Sequence, residues 1–463
     1  MTFVEQLAAF ADGIRPPEHI RTIVRQHTLD TIGVALAAVR LDTSRAVVDI
    51  AERRGGAPEA RAIGLEAKVP ATSAAFVNGV LAHSLDYDDT HLPSILHPSA
   101  SVVPAALAAA EQAGAHGART LDAVAAGLEI CARLGMAGYD RYNGQSTYFE
   151  RGQHATSICG AIAGAAAAAK LLGLDARGIA DAMGIAVSMA AGVIEANRAG
   201  GTVKRTHCGI AARSAVDAAE LARAGITGPP TALEGRFGFF SAYLYGQYDR
   251  DALLDGLGER WEIERIFFKP YPANHFTHAG IDAALAVRAR GVRPNHIEHI
   301  RLGVARPTVR TIGQPIEAKR APETGYQAQF SGPFTIAAAL CAGSGLGLGL
   351  DDFTDDLARD PAMRTLMQKI TVEPDPWCDA IYPNQFPAVL TVRTSDGEIT
   401  ERIAANRGGP DRPLTDDEIA TKFRDNAGRV LGDEAMQQIE QACARLDRLE
   451  AIDDVLAPAA GAK

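Results

Sequence analysis

The sequence has 463 residues, of which 47% are hydrophobic and 22% are charged, a balance that is typical of a soluble globular protein. A chain of this length exceeds one ordinary hydrophobic core and predicts two domains, or one domain with an insertion. The net charge of −10 argues against a general nucleic-acid surface, because phosphate binding needs a basic face.

The first part of the chain shows helical spacing. Apolar residues recur every three to four positions over 20–36 and 212–219, and many of these stripes consist of alanine and glycine. Because small residues let helix axes approach closely, we expect a compact helical bundle over residues 1–267.

The spacing changes near residue 268. The predicted elements that follow are strands at 297–302 and 369–372, a hairpin at 388–400, and helices at 280–290 and 334–341. This mixture predicts a small α+β domain over residues 268–403. Helical spacing then returns with a capping box, Thr415 to Glu418, and we expect residues 457–463 to form a flexible tail.

Targeting and redox signals are weak. The amino-terminal residues lack the basic region and long apolar core of a secretory signal, and the apolar run 159–169 is too short to cross a bilayer. The six cysteines form no Cys-x-x-Cys pair, which argues against a zinc site or a ligated iron–sulfur cluster. We therefore expect a cytoplasmic protein that binds neither nucleic acid nor a membrane.

Residues 83–91, with His97 close behind, are the richest in proton-transfer groups. Asp86 is expected at a helix end or in the following loop, although Asp86, Asp88 and Asp89 could instead be turn-formers and helix caps. His97 precedes a helix N-terminus, where the helix dipole keeps an imidazole neutral and competent as a base. The alternative is a loop histidine that bonds to the backbone.

Two lysines could supply matching positive charge. Lys204 follows Val203, and Lys269 follows two phenylalanines, which implies apolar surroundings for both ammonium groups. A substrate with two or three carboxylates needs fixed cations, and a desolvated lysine can also exchange a proton. A lone lysine is otherwise a solvated surface group. His154 precedes a further helix.

Other signals argue against bound groups. The glycine-rich run 343–349 follows a helical stretch, whereas a dinucleotide site needs a strand there. His275 and His278 lack a third ligand at the usual spacing, and residues 86–89 lack a phosphate-binding loop. The sequence therefore predicts no metal and no cofactor.

A set of short motifs carries a resemblance to one family along nearly the whole chain. The motifs are Asn78-Gly79, Leu85 to Thr90, His97-Pro98-Ser99, Lys204 to Gly209, Thr227-Gly228-Pro229, Leu233-Glu234-Gly235, Gly238-Phe239-Phe240, Phe268 to Pro272 and Gln329-Phe330-Ser331. On these the chain resembles the MmgE/PrpD family, whose members include 2-methylcitrate dehydratases, cis-aconitate decarboxylases and a cofactor-free epimerase.

The resemblance has consequences for the fold and the assembly. It implies a mainly α protein in which residues 1–267 and 404–456 form a large all-helical domain, and the smaller α+β domain is a lid inserted before the C-terminal helices. It also implies a homodimer through the helical domain.

The resemblance also assigns residues to a pocket. We hypothesise that His97 is the general base with Asp86 orienting it or sharing the proton, although Asp86, Lys204 or Lys269 could be the base instead. Lys204 and Lys269 would clamp carboxylates and stabilise the developing charge. Two further pocket residues, Thr90 and His154, would position the substrate or assist the leaving group.

The resemblance leaves the reaction open. The resemblance also places Asn274 and Phe334 among the substrate-binding residues, where the decarboxylases carry histidine and tyrosine, respectively. The 2-methylcitrate dehydratases carry arginine and tryptophan where this chain has His83 and Ser84. We therefore expect a cofactor-independent dehydratase-type lyase that acts on a small polycarboxylate. The alternative is an epimerase or isomerase of a dicarboxylate or amino-polycarboxylate, while a decarboxylase or a non-catalytic carboxylate-binding protein is less favoured.

Overall fold

The computed structural model describes residues 1–142, 144–341 and 343–463, apart from the side chains of residues 197 and 198. Helices hold 58% of the chain and strands 10%, which confirms the predicted mainly helical class. The chain forms two compact units. The first comprises Met1–Ile266 and Asn426–Lys463, and the second comprises Phe267–Asp425. The lid limits of 268 and 403 stay a prediction.

The first unit is built from helices. They are Phe3–Gly13, Glu18–Ala38, Asp42–Arg54, Ala71–His83, Ser99–Ala113, Gly117–Ala137, Thr147–Glu150, Ala155–Leu171, Ala176–Met189, Glu195–Ala199, His207–Arg223, Phe239–Leu244, Arg250–Leu254, Asp433–Ala444 and Asp453–Leu456. Ala155–Leu171 is central, because every one of its residues is buried against neighbouring helices. Its alanines and glycines permit this close packing, as the sequence predicts.

One helix crossing in this unit depends on two glycines. A Cβ atom added at Gly79 would lie 2.8 Å from the Cα atom of Gly209, and one added at Gly209 would lie 2.3 Å from the carbonyl oxygen of Phe76. Helices Ala71–His83 and His207–Arg223 therefore touch backbone to backbone. This contact places the C-terminus of the first helix beside the N-terminus of the second.

The second unit packs helices on one small sheet. Its strands, in sheet order, are Ile370–Pro374, Ile297–Val304, Ala388–Thr394 and Gly397–Ile403. The first two strands are parallel and the other pairings are antiparallel, so the predicted hairpin is confirmed. Its helices are His278–Ala289, Arg306–Ile312, Ile316–Lys319, Gly325–Ala328, Gly332–Cys341, Asp355–Arg359, Pro361–Gln368, Pro376–Ile381 and most of Asp416–Ala427.

The C-terminal region contains one element that the sequence predicts correctly and one that it does not. The capping box is present, since Thr415 N–H donates to Glu418 and Glu418 N–H donates to the Thr415 hydroxyl. The last residues, expected to form a flexible tail, pack on the first unit. Gly461 N–H donates to Leu65 at 3.1 Å, and Ala462 is buried. Small side chains let this segment lie flat against the helices.

Candidate active site

The acidic motif lies in a loop whose backbone is strained at two positions. Asp86 has φ of 53° and Ile95 has φ of 56°, in the left-handed region that a β-branched residue such as isoleucine seldom adopts. His91 holds the loop, because its ring nitrogens lie 2.6 Å from Ser94 Oγ and 3.1 Å from Glu262 Oε2. The loop between Ala71–His83 and Ser99–Ala113 is therefore fixed.

The three aspartates of the motif have different partners. Asp86 Oδ1 lies 3.6 Å from Lys204 Nζ, and both side chains are largely buried. Asp88 Oδ2 lies 2.6 Å from His83 Nδ1. Asp86 therefore meets a basic group from a distant part of the sequence, and Asp88 meets one from its own segment.

Asp89 has a structural role instead. It accepts from the backbone N–H of Ser99 at 3.3 Å and from the Ser99 hydroxyl, and it lies 3.0 Å from His27 Nδ1. The alternative interpretation of the aspartates as helix-capping residues thus applies to Asp89.

His97 is held at both its backbone and its ring. Its backbone N–H donates to Thr156 Oγ1 at 3.2 Å, and its Nδ1 lies 2.5 Å from the carbonyl oxygen of Asp89 and 3.4 Å from Thr90 Oγ1. A carbonyl oxygen only accepts, so Nδ1 carries the hydrogen and Nε2 keeps its lone pair. The bond to the backbone therefore leaves His97 in the tautomer that a general base needs.

Four imidazole rings form a chain beside the lysine. The ring centroids of His83 and His97 lie 5.5 Å apart, those of His83 and His154 lie 5.4 Å apart, and those of His154 and His207 lie 5.0 Å apart. Burial lowers the pKa of His154 well below its usual value, and the charges of His83 and Lys204 act in the same direction. Burial and the same two neighbours lower the pKa of His207 to about 4. Both rings are therefore neutral at pH 7.

The structure brings five predicted site residues into one cluster of the first unit: Asp86, Thr90, His97, His154 and Lys204. Their contacts run through His83 and the loop that follows it.

The three remaining predicted residues belong to the second unit. Lys269 is buried with 1% exposure. Asn274 starts the short helix His275–Thr277 by accepting from the backbone N–H of Phe276 at 3.2 Å. Phe334 lies in the hydrophobic core of that unit.

Three members of the cluster, His83, Asp88 and His207, were not among the predicted site residues. His83 and Asp88 are five residues apart and lie across a helix end, and His207 follows Lys204 by three residues on the next helix turn. Their presence in the motifs was visible. The contact of His83 with Asp88 depends on the turn after helix Ala71–His83, and the contact of His207 with His154 depends on packing between segments distant in sequence.

The described part of the chain offers neither a cluster of metal ligands nor a membrane-spanning helix. Within it, no group of three or more His, Cys, Asp or Glu side chains has an arrangement that could hold a metal ion. None of its helices combines the length and apolar character needed to cross a membrane.

Fold and cluster together define a mainly helical protein of two units whose first unit buries imidazole, carboxylate and ammonium groups side by side. The chain belongs to the MmgE/PrpD family. The MmgE/PrpD N-terminal domain matches residues 5–251, and the MmgE/PrpD C-terminal domain matches residues 271–446.

Several curated relatives are similar over most of their length. Cis-aconitate decarboxylase of Mus musculus is 31% identical over 401 residues, which cover 83% of this chain and 77% of the mouse protein. The Homo sapiens enzyme is 31% identical over 400 residues, covering 83% and 78%. Cis-aconitate decarboxylase of Aspergillus terreus is 28% identical over 446 residues, covering 92% and 89%.

Proposed function

We propose that this protein is a cofactor-independent lyase of dehydratase type that removes a proton next to a carboxylate of a small polycarboxylate. The observation that carries the proposal is the buried cluster in which His97, whose Nδ1 faces a carbonyl oxygen so that Nε2 carries the lone pair, lies in the same group of contacts as the Asp86–Lys204 pair. The similarity to cis-aconitate decarboxylases supports a small polycarboxylate as the substrate class.

Proton removal beside a carboxylate creates negative charge that must be stabilised as it forms. Lys204 provides a positive charge in a largely buried position. The helices Ser99–Ala113 and Ala155–Leu171 begin directly after Pro98 and His154, so their N-terminal N–H groups and dipoles favour an anion beside these residues. Lys269 keeps its predicted role as a second carboxylate-binding cation.

The proposed reaction begins at the carbon next to a carboxylate. His97 Nε2 takes the proton, and the electron pair of the C–H bond becomes an enediolate-type charge beside Lys204. Asp86 positions the lysine, and Thr90 and His154 position the substrate. Expulsion of a β-hydroxyl as water then gives an alkene.

The alternative outcome is epimerisation of a dicarboxylate or amino-polycarboxylate, in which a proton returns to the opposite face. Epimerisation needs one group that removes the proton and another that returns a proton to the opposite face. His83 lies beside His97, and these two imidazoles could fill the two roles. Decarboxylation is less favoured, because this chain has Asn274 and Phe334 at the two positions where the resemblance places a histidine and a tyrosine in the decarboxylases.

The test is proton NMR in D₂O with a panel of citrate-like, tartrate-like and aspartate-derived acids, each with and without chelator. We expect an alkene signal at a rate that the chelator does not change. Deuterium wash-in without an alkene would establish the epimerase instead. Turnover that requires added metal would contradict the cofactor-independent proposal, and absence of both signals with every acid would contradict an enzyme of this class.

A further inference from the structure

The His83 imidazole is fixed at one nitrogen and open at the other. Its Nδ1 lies 2.6 Å from Asp88 Oδ2, and the side chain is 1% exposed. Its Nε2 is buried and has no hydrogen-bond partner among the residues that the structure describes. A buried polar atom left without a partner destabilises the folded protein, so a bound substrate is expected to supply the partner here.

The surroundings of His83 show where that partner would lie. The rings of His97 and His154 flank it at centroid separations of 5.5 and 5.4 Å. Asp88 Oδ2 also lies 3.9 Å from His97 Nδ1, so one carboxylate faces two imidazoles. A substrate that His97 can reach therefore lies within reach of His83 as well.

We infer that His83 is a second catalytic residue, oriented by Asp88, whose Nε2 contacts the substrate and protonates its leaving group. The inference rests on the proposed dehydratase function. The resemblance places an arginine at this position in the 2-methylcitrate dehydratases, so the assignment is not carried over from them.

Two imidazoles account for both proton transfers of the elimination, one as the base and one as the acid. His97 Nε2 takes the carbon-bound proton, and the C–H electron pair forms the C=C bond. The C–O bond breaks with its electron pair on oxygen, which takes the proton of His83 Nε2 and leaves as water. His97 then carries the extra proton and His83 is neutral, and exchange with solvent restores both rings for the next cycle.

The kinetic test compares two leaving groups in His83→Gln. One substrate is the hydroxy acid of the panel that the wild-type protein dehydrates, and the other is its analogue with chloride in place of that hydroxyl. Chloride leaves without protonation, whereas a hydroxyl needs the acid. We expect His83→Gln to lose about 100-fold or more in kcat on the hydroxy acid and less than about fivefold on the chloro analogue. Equal losses on both substrates, or no loss on either, would overturn the inference.

A second measurement uses the unmodified protein and so does not depend on the variant folding. With ¹⁵N-histidine labelling, citrate as the probe should shift the Nε2 signals of His83 and His97 and leave exposed His19 unchanged. A shift of His97 alone would overturn the assignment of His83 and spare the proposed function. No shift of either ring with any acid of the panel would contradict the proposed function itself.

Discussion

Gly209→Ala tests whether the glycine crossing holds the site together. The added Cβ atom would lie 2.3 Å from the carbonyl oxygen of Phe76, whereas real Cβ atoms essentially never approach closer than 3.0 Å. The helix must therefore move by at least about 0.7 Å, the difference between these distances. Overpacking of this kind costs about 1–3 kcal/mol, which lowers Tm by about 2–5 °C in a unit of about 300 residues.

The same movement of the helix should also lower the catalytic rate, because helix His207–Arg223 begins beside Lys204. Displacing Lys204 from Asp86 should lower kcat/KM by about 10–100-fold. The assays are thermal denaturation and turnover of the panel acid that the wild-type protein converts fastest.

A matched control is available in the same unit. Gly13→Ala adds the same methyl group at the end of helix Phe3–Gly13, where no described atom lies within 4 Å of the new Cβ. It should leave Tm and turnover close to the wild-type values. If Gly209→Ala behaves like Gly13→Ala, or loses stability with normal turnover, the link between this crossing and the site is refuted.

Further predictions concern individual side chains. Asp86→Asn should lower kcat at least tenfold with an unchanged circular dichroism spectrum, because asparagine tolerates the left-handed backbone of this position. Lys204→Met should lower kcat/KM by about 10²–10³-fold, while Lys204→Arg, which keeps the charge, should lose less. Lys269→Ala should raise KM for the same acid, and an unchanged KM would remove Lys269 from binding. The pKa of His207 lies at about 4 against a usual 6.5, so between these values the unfolded chain binds a proton that the folded protein does not. The free energy of unfolding in urea should therefore fall as the pH drops from about 6.5 towards 4, and His207→Gln should flatten that fall.

Local patterns predicted local structure well. The capping box at Thr415 and the alternation that begins near Ile297 depend on neighbours in sequence, and the structure contains both elements. The parallel pairing of Ile297–Val304 with Ile370–Pro374 joins segments far apart, and no local pattern encodes it. The docked C-terminal residues were missed because alanine-rich ends carry no periodic signal.

In the candidate site too, the sequence predicted the residues of a local motif but not the contacts between distant segments. The motif residues Asp86 and His97 could be singled out because core packing alone does not call for so dense a run of proton-transfer groups, although Asp89 and His91 of that run hold the loop. The contact of His154 with His207 depends on how helices distant in sequence pack, so the sequence alone could not predict it. The contact of His83 with Asp88 depends on the turn that follows helix Ala71–His83.

The most direct test of the account is the rate at which deuterium from D₂O enters the position next to the substrate carboxylate, compared between wild-type protein, His97→Gln and the surface variant His19→Gln. The account predicts that His97→Gln lowers this exchange by about 10²–10⁴-fold while His19→Gln exchanges at the wild-type rate. Exchange by His97→Gln near the wild-type rate would contradict the assignment of His97 as the base.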